Sequence, residues 1–104
     1  MFADRVTVRR DSVERFLLSS AARKATGGAT VVVDPPRTGM SRDVVANIAV
    51  LRPRRIVFVS CDPATLARDL RTFLDSGYEL EALTAFDLFP NTAHIEAVAV
   101  LRSA

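Results

Sequence analysis

The sequence has one cysteine, one histidine and no apolar run approaching the roughly 20 residues that cross a membrane. A single cysteine excludes an internal disulfide. It suits a reducing, cytoplasmic setting and leaves Cys61 as either buried filler or a nucleophile. A single histidine, His94, has no second histidine with which to build a metal site, and no metal is expected. Internal repeats, low-complexity tracts and linkers are missing too. Acidic residues are scarce in the first part of the chain: residues 1–60 carry 11 basic and 5 acidic side chains, residues 61–104 carry 3 and 7. The net charge is therefore only +2, but it is unevenly spread. The clusters Arg9-Arg10, Arg23-Lys24 and Arg52 with Arg54-Arg55 permit a polyanionic partner, but solvated helix ends are the plainer and favoured explanation.

What is present is enough for one domain: 104 residues, 49% hydrophobic and 25% charged. Two short β-branched strands organise it. Val31-Val32-Val33 runs into Asp34-Pro35-Pro36-Arg37, and Ile56-Val57-Phe58-Val59 runs into Ser60-Cys61-Asp62-Pro63. Apolar residues at helical spacing follow each, and strand–loop–helix repeated twice indicates a parallel α/β sheet. Chemistry in such sheets collects beyond the carboxyl ends of the strands, where Asp34 and Cys61 would stand.

The remaining elements follow from local signals. Residues 5–9 alternate polar and apolar and predict a short strand. Asp11 with Glu14 offers a capping box for one helix over 12–23, with Val13, Phe16, Leu17 and Ala21 on its inner face. Gly27-Gly28 ends it. Ser41 caps a helix to about Ala49, with Asp43 in its first turn, and Pro53 closes that segment. Asp62 or Ser60 caps the next helix, which carries Pro63 in its first turn and an inner stripe of Leu66, Leu70, Phe73 and Leu74, before Gly77. Strands are expected over 78–87 and 94–101. The connection between them is too short for a crossover helix, so they pair antiparallel. The last strand then begins at the carboxyl edge of the parallel pair, bringing His94 and Glu96 to the edge that holds Asp34 and Cys61.

Each of these residues has a plain alternative. A lone cysteine at a strand end commonly packs, although the start of a helix is also where a thiolate is favoured. Asp34-Pro35-Pro36 can be no more than a stiff turn. Glu96 can be a carboxylate at the sheet rim, and His94 a structural hydrogen-bonding group.

Three stretches in order are more specific than any one residue: D-P-P-R-T-G at 34–39, V-S-C-D-P-A-T-L at 59–66 and D-L-F-P-N-T-A-H-I-E at 87–96. Together they resemble the motifs of the RNA 5-methyluridine methyltransferases, S-adenosylmethionine-dependent enzymes acting on tRNA and ribosomal RNA. The resemblance covers residues 30–101. Phe58, Asp62 and Asn91 depart from the usual tyrosine, asparagine and glutamine or histidine, and none is a reactive position. The resemblance implies that Cys61 adds to carbon 6 of uracil, making carbon 5 nucleophilic, and that Glu96 removes the carbon 5 proton. It implies Asp34 near the cofactor methyl and the target base, and Asp11 near the adenine. It makes Arg37, Thr92 and His94 substrate-binding or supporting groups.

The same resemblance implies a partial Rossmann-like methyltransferase sheet, parallel strands with a C-terminal antiparallel strand pair. No G-x-G-x-G loop for the cofactor occurs in the chain, nor an RNA-binding domain, nor iron–sulfur cysteines. Residues 1–104 are therefore expected to be the C-terminal portion of one catalytic domain, inactive alone and completed by an N-terminal half or by self-association. Two other readings stay open: an adenine-N6-type amino-methyltransferase fragment, since D-P-P also serves that chemistry, and a non-catalytic RNA-binding or assembly module.

Overall fold

The computed structural model describes residues 5–87 and 95–104. The elements in order are α1 (Val13–Leu17), α2 (Ser20–Thr26), β1 (Thr30–Val33), α3 (Arg42–Leu51), β2 (Arg55–Ser60), α4 (Pro63–Asp75), β3 (Tyr78–Phe86) and β4 (Glu96–Ser103). The four strands form one sheet in the order β1-β2-β4-β3. β1 and β2 are parallel, and β4 runs antiparallel to both β2 and β3. The expected α/β architecture, with parallel strands and a C-terminal antiparallel pair, is the one observed.

Alternation sorts the strands into two faces. Ile56, Phe58 and Ser60 of β2 pair with Leu101, Ala99 and Ala97 of β4, and all six are buried. Val44, Val45 and Ile48 of α3 and Leu66, Leu70 and Phe73 of α4 complete the same hydrophobic cluster. The intervening residues Val57, Val59, Val98 and Val100 face the other way and are half-buried, and Val32 beside them is 66% exposed. One face of the sheet thus carries the core and the other is an open band of valines.

Caps set the helix boundaries. The Ser41 hydroxyl accepts from the Val44 amide, and the Asp62 carboxylate accepts from the amides of Ala64 and Thr65, with Pro63 at the first helical position. α3 ends in a left-handed Arg52 (φ 54°), whose guanidinium donates to the Ser76 carbonyl at 3.0 Å and lies over the Tyr78 ring. The Tyr78 hydroxyl donates to the buried Pro53 carbonyl at 2.6 Å, and its ring meets Phe73 edge-on. Pro53, Arg52 and Tyr78 together lock the end of α3 to the start of β3.

Four expectations are corrected. Residues 5–9 are not a strand: Val6 to Arg10 have no regular structure, and Val8 is 89% exposed. Alternation gives a segment strand-like character, but among the described residues no strand lies beside these. The helix expected over 12–23 is two helices. The Ser19 hydroxyl donates to the Phe16 carbonyl and accepts from the Ala22 amide, ending one helix and starting the next, and Val13 faces solvent. The cap of α1 is Ser12, with its hydroxyl accepting from the Arg15 amide, rather than Asp11. On α4, Leu74 is 41% exposed and the buried stripe instead includes Asp69. A register shift between Leu80 and Ala82 explains why 78–86 alternates poorly.

Burial raises the Tyr78 phenol above its ordinary 10.0, with the Arg52 charge acting in the opposite sense. The folded state therefore holds the proton more tightly. The stabilisation is complete below pH 10.0 and is lost as pH rises through the raised folded value. Tyr78→Phe should cost about 1–2 kcal/mol at neutral pH by stranding the Pro53 carbonyl. It should also flatten the fall in stability above pH 10.0, measured by denaturant titration across the alkaline range. An identical alkaline slope in the variant would place that loss on another group.

Candidate active site

The strand pairings converge on one edge. Val33 is level with Phe58, so Asp34, the next residue, comes level with Val59 at the carboxyl ends of β1 and β2. β2 and β4 pair as far as Ser60 with Ala97, and one further step in that register sets Cys61 opposite Glu96. Glu96 is half-buried and also pairs with Phe86 of β3. Asp34, Cys61 and Glu96 thus come from three consecutive positions across the sheet. Thr92 and His94 lie outside the described residues.

Cys61 is a free, partly buried thiol between the end of β2 and the cap of α4. Its turn is held from both sides. The buried Ser60 hydroxyl accepts from the Asp62 amide and donates to the Asp62 carbonyl, each at 3.1 Å. The Asp62 carboxylate takes the amides of Ala64 (3.0 Å) and Thr65 (3.3 Å), while the Leu66 amide bonds to the Asp62 carbonyl. The first-turn donors of α4 are therefore occupied by Asp62. The helix start does not offer these amides to the neighbouring sulfur.

The loop after β1 is shaped by its turn and by α4. Gly39 donates to the Pro36 carbonyl at 2.8 Å and has φ +76°, in the left-handed region. The Thr65 hydroxyl donates to the Arg37 carbonyl at 3.1 Å. Further along, the Met40 amide donates to Asp69, and Arg68 donates to the carbonyls of Thr38 and Met40. Asp69 escaped notice in the sequence. Its signal is a carboxylate at helical spacing among Leu66, Leu70 and Phe73, on the face that should be apolar.

Asp11 stands apart from the other three. Its carboxylate accepts from the Ser12 amide and lies 3.9 Å from Arg15. It lines an open cavity of about 450 Å³ with Arg9, Ser12, Val13, Phe16 and Ala21, and Arg9 lies over the Phe16 ring. Asp34, Cys61 and Glu96 are not in that lining. Among the described residues no group of three His, Cys, Asp or Glu could hold a metal ion, and no helix is long and apolar enough to cross a membrane.

The sequence profile of the tRNA (uracil-5-)-methyltransferase family matches residues 10–104. An uncharacterized RNA methyltransferase of Streptomyces coelicolor is 46% identical over 101 residues, 97% of this chain and 21% of that protein. Another, from Halalkalibacterium halodurans, is 54% identical over 71 residues, 68% of this chain and 16% of that protein. The chain thus spans about a fifth of the length of these relatives. Among solved structures, the tRNA (uracil-54, C5)-methyltransferase of Pyrococcus abyssi, in complex with S-adenosyl-L-homocysteine, superposes with a TM-score of 0.73. It is 35% identical, over 95% of this chain and 23% of that one. M1.HpyAVI in complex with SAM superposes at 0.70 with 10% identity, over 93% of this chain and 53% of that one, a likeness of fold.

Asp62→Ala tests the account of the turn. Losing the cap should destabilise the chain by about 1 kcal/mol. The same change frees two amides and removes a negative charge beside the sulfur, so alkylation of Cys61 by iodoacetamide at neutral pH should speed up several-fold or more. A variant that melts earlier but alkylates at the wild-type rate would mean that Asp62 does not govern the thiol.

Proposed function

Since the chain belongs to the tRNA (uracil-5-)-methyltransferase family, we propose that it supplies the nucleophile and the base for methylation of carbon 5 of a uridine in tRNA or ribosomal RNA. The supporting observation is the register of β4, which sets Glu96 across from Cys61, with Asp34 at the end of the adjoining strand.

Carbon 5 of uracil is a weak nucleophile. The Cys61 sulfur bonds to carbon 6, and the carbon 5–carbon 6 electron pair moves toward the carbonyl at position 4, leaving an enolate with density on carbon 5. S-adenosylmethionine, when bound, would supply an electrophilic methyl group for that carbon, its sulfur keeping the electron pair of the broken S–CH3 bond and leaving as the neutral thioether S-adenosylhomocysteine. Glu96 then takes the proton from methylated carbon 5, and the released pair re-forms the ring double bond and expels the cysteine thiolate. Asp34 faces the same reaction zone from β1, and Arg37 is held on the loop beside it by the Thr65 hydroxyl. Thr92 and His94, which precede Glu96 in the sequence, are assigned by the family resemblance as supporting groups for the substrate.

For the cofactor, the groups on this chain suit part of the molecule. The cavity beside Asp11 has apolar walls from Val13, Phe16 and Ala21 for a purine ring, and Asp11 has acceptor oxygens for an exocyclic amine. Asp34 would stand toward the methyl-bearing end. The glycine-rich loop that cradles nucleotides in Rossmann-like folds is not in the sequence. The isolated chain is therefore expected to need an N-terminal region supplying such a loop, or a second copy, before it acts on RNA.

The test uses the chain complemented with that N-terminal region, presented with uridine-containing RNA and S-adenosylmethionine. Cys61→Ala should abolish methyl transfer. Glu96→Gln should methylate but release slowly, leaving a protein–RNA adduct that survives denaturing gels. Normal turnover by Glu96→Gln without adduct would remove the base assignment, and residual activity in Cys61→Ala would remove the covalent route.

A further inference from the structure

We propose that Asp69, held by Arg68, is a positioning residue that fixes the 34–40 loop to the helix following Cys61, so that Asp34 and Arg37 are set against the thiol as one rigid piece. The proposal rests on the methyl-transfer reading above.

The Asp69 side chain is only 4% exposed. A buried carboxylate costs several kcal/mol unless it is fully partnered. Here Oδ2 accepts the Met40 amide at 3.1 Å, and Oδ1 accepts Arg68 Nε at 3.2 Å with Nη2 at 3.1 Å. The same guanidinium donates to the carbonyls of Thr38 (3.0 Å) and Met40 (3.2 Å). One turn earlier on the helix, Thr65 donates to the Arg37 carbonyl. Positions 65, 68 and 69 lie on one face of α4, and together they engage backbone groups at 37, 38 and 40. Gly39 sits inside this grip. A Cβ there would come within 2.6 Å of Arg68 Nη2 and 2.8 Å of Asp69 Oδ2.

Attaching α3 to the fold does not require this arrangement, because Val44, Val45 and Ile48 already anchor it in the core. An apolar residue at 69 would pack against that core at lower cost. What the carboxylate adds is a fixed acceptor for a loop amide and a fixed orientation for Arg68. Both act on the segment between Asp34 and α3. The two loops that carry the reactive groups thereby share one helix as their frame.

Two measurements test this. In the 104-residue chain, Asp69→Asn can no longer accept from both Met40 and Arg68. Amide exchange at Met40 should then accelerate about tenfold or more while the amides of Leu70 and Phe73 keep their protection. In the complemented enzyme, kcat should fall by about one to two orders of magnitude, with KM for RNA nearly unchanged. Should Asp69→Asn not fold, Arg68→Gln replaces it: the side chain is half-exposed, kcat should again fall, and Arg68→Lys should recover part of it. Unchanged Met40 exchange would overturn the clamp. A lowered melting temperature with wild-type kcat below the transition would overturn the positioning role and leave only a structural one. If the wild-type complex transfers no methyl group to uridine, the proposed function falls, and the exchange measurement still decides the clamp.

Discussion

The reversed direction of β4 is the constraint on which the rest depends. Parallel strands β1 and β2 present their carboxyl ends to one side, and a fourth strand running with them would begin at the opposite side. Because β4 runs back between β2 and β3, its first residue arrives where they finish. Its register is fixed by burial. Ala97, Ala99 and Leu101 are all inside, and a slip of one residue would turn every one of them out and the valines in. The packing of small and large side chains on one face thus decides which carboxylate stands opposite Cys61. Core and site obey the same rule.

Much of this is legible in the amino-acid sequence. The runs at 30–33 and 55–60 are β-branched and bounded by proline or charge, the helices after them carry clear caps, and a connection too short for a helix dictates an antiparallel final pair. Those features are local and strong, and the placement of Asp34, Cys61 and Glu96 on one edge follows from them. What failed were signals that depend on a partner. Residues 5–9 alternate as a strand would, but among the described residues no strand lies beside them. The expected helix over 12–23 breaks because Ser19 competes for backbone groups on both sides, a choice periodicity does not register. Asp69 was invisible because a charged residue inside an apolar stripe is assigned to solvent by default. Its loop partner, the Met40 amide, is 29 positions away in the sequence.

The two faces of the sheet differ in kind. One is closed by α3 and α4; the other carries Val32, Val57, Val59, Val98 and Val100, ending at the base in the ion pairs of Arg55 with Glu81 and Arg102 with Glu79. α/β sheets with parallel strands ordinarily bury both faces. Among the described residues, the open valine band and the unpaired edge of β1 agree with a chain that spans about a fifth of its relatives' length. The charged pairs at the base interrupt the apolar strip and discourage edge-to-edge association there.

Asp62 gives the turn at Cys61 an independence that a sulfur-capped helix would lack. Where a thiolate itself satisfies the opening amides of a helix, every bond formed at sulfur withdraws that support, and the helix loosens each time the residue reacts. Here a neighbouring carboxylate carries the whole task, and Ser60 ties the preceding residue into place. Under the proposed mechanism, the sulfur would gain and lose a covalent partner without any backbone donor changing hands. Repeated bond formation at this position would then leave the start of α4, and everything anchored to it, as it was.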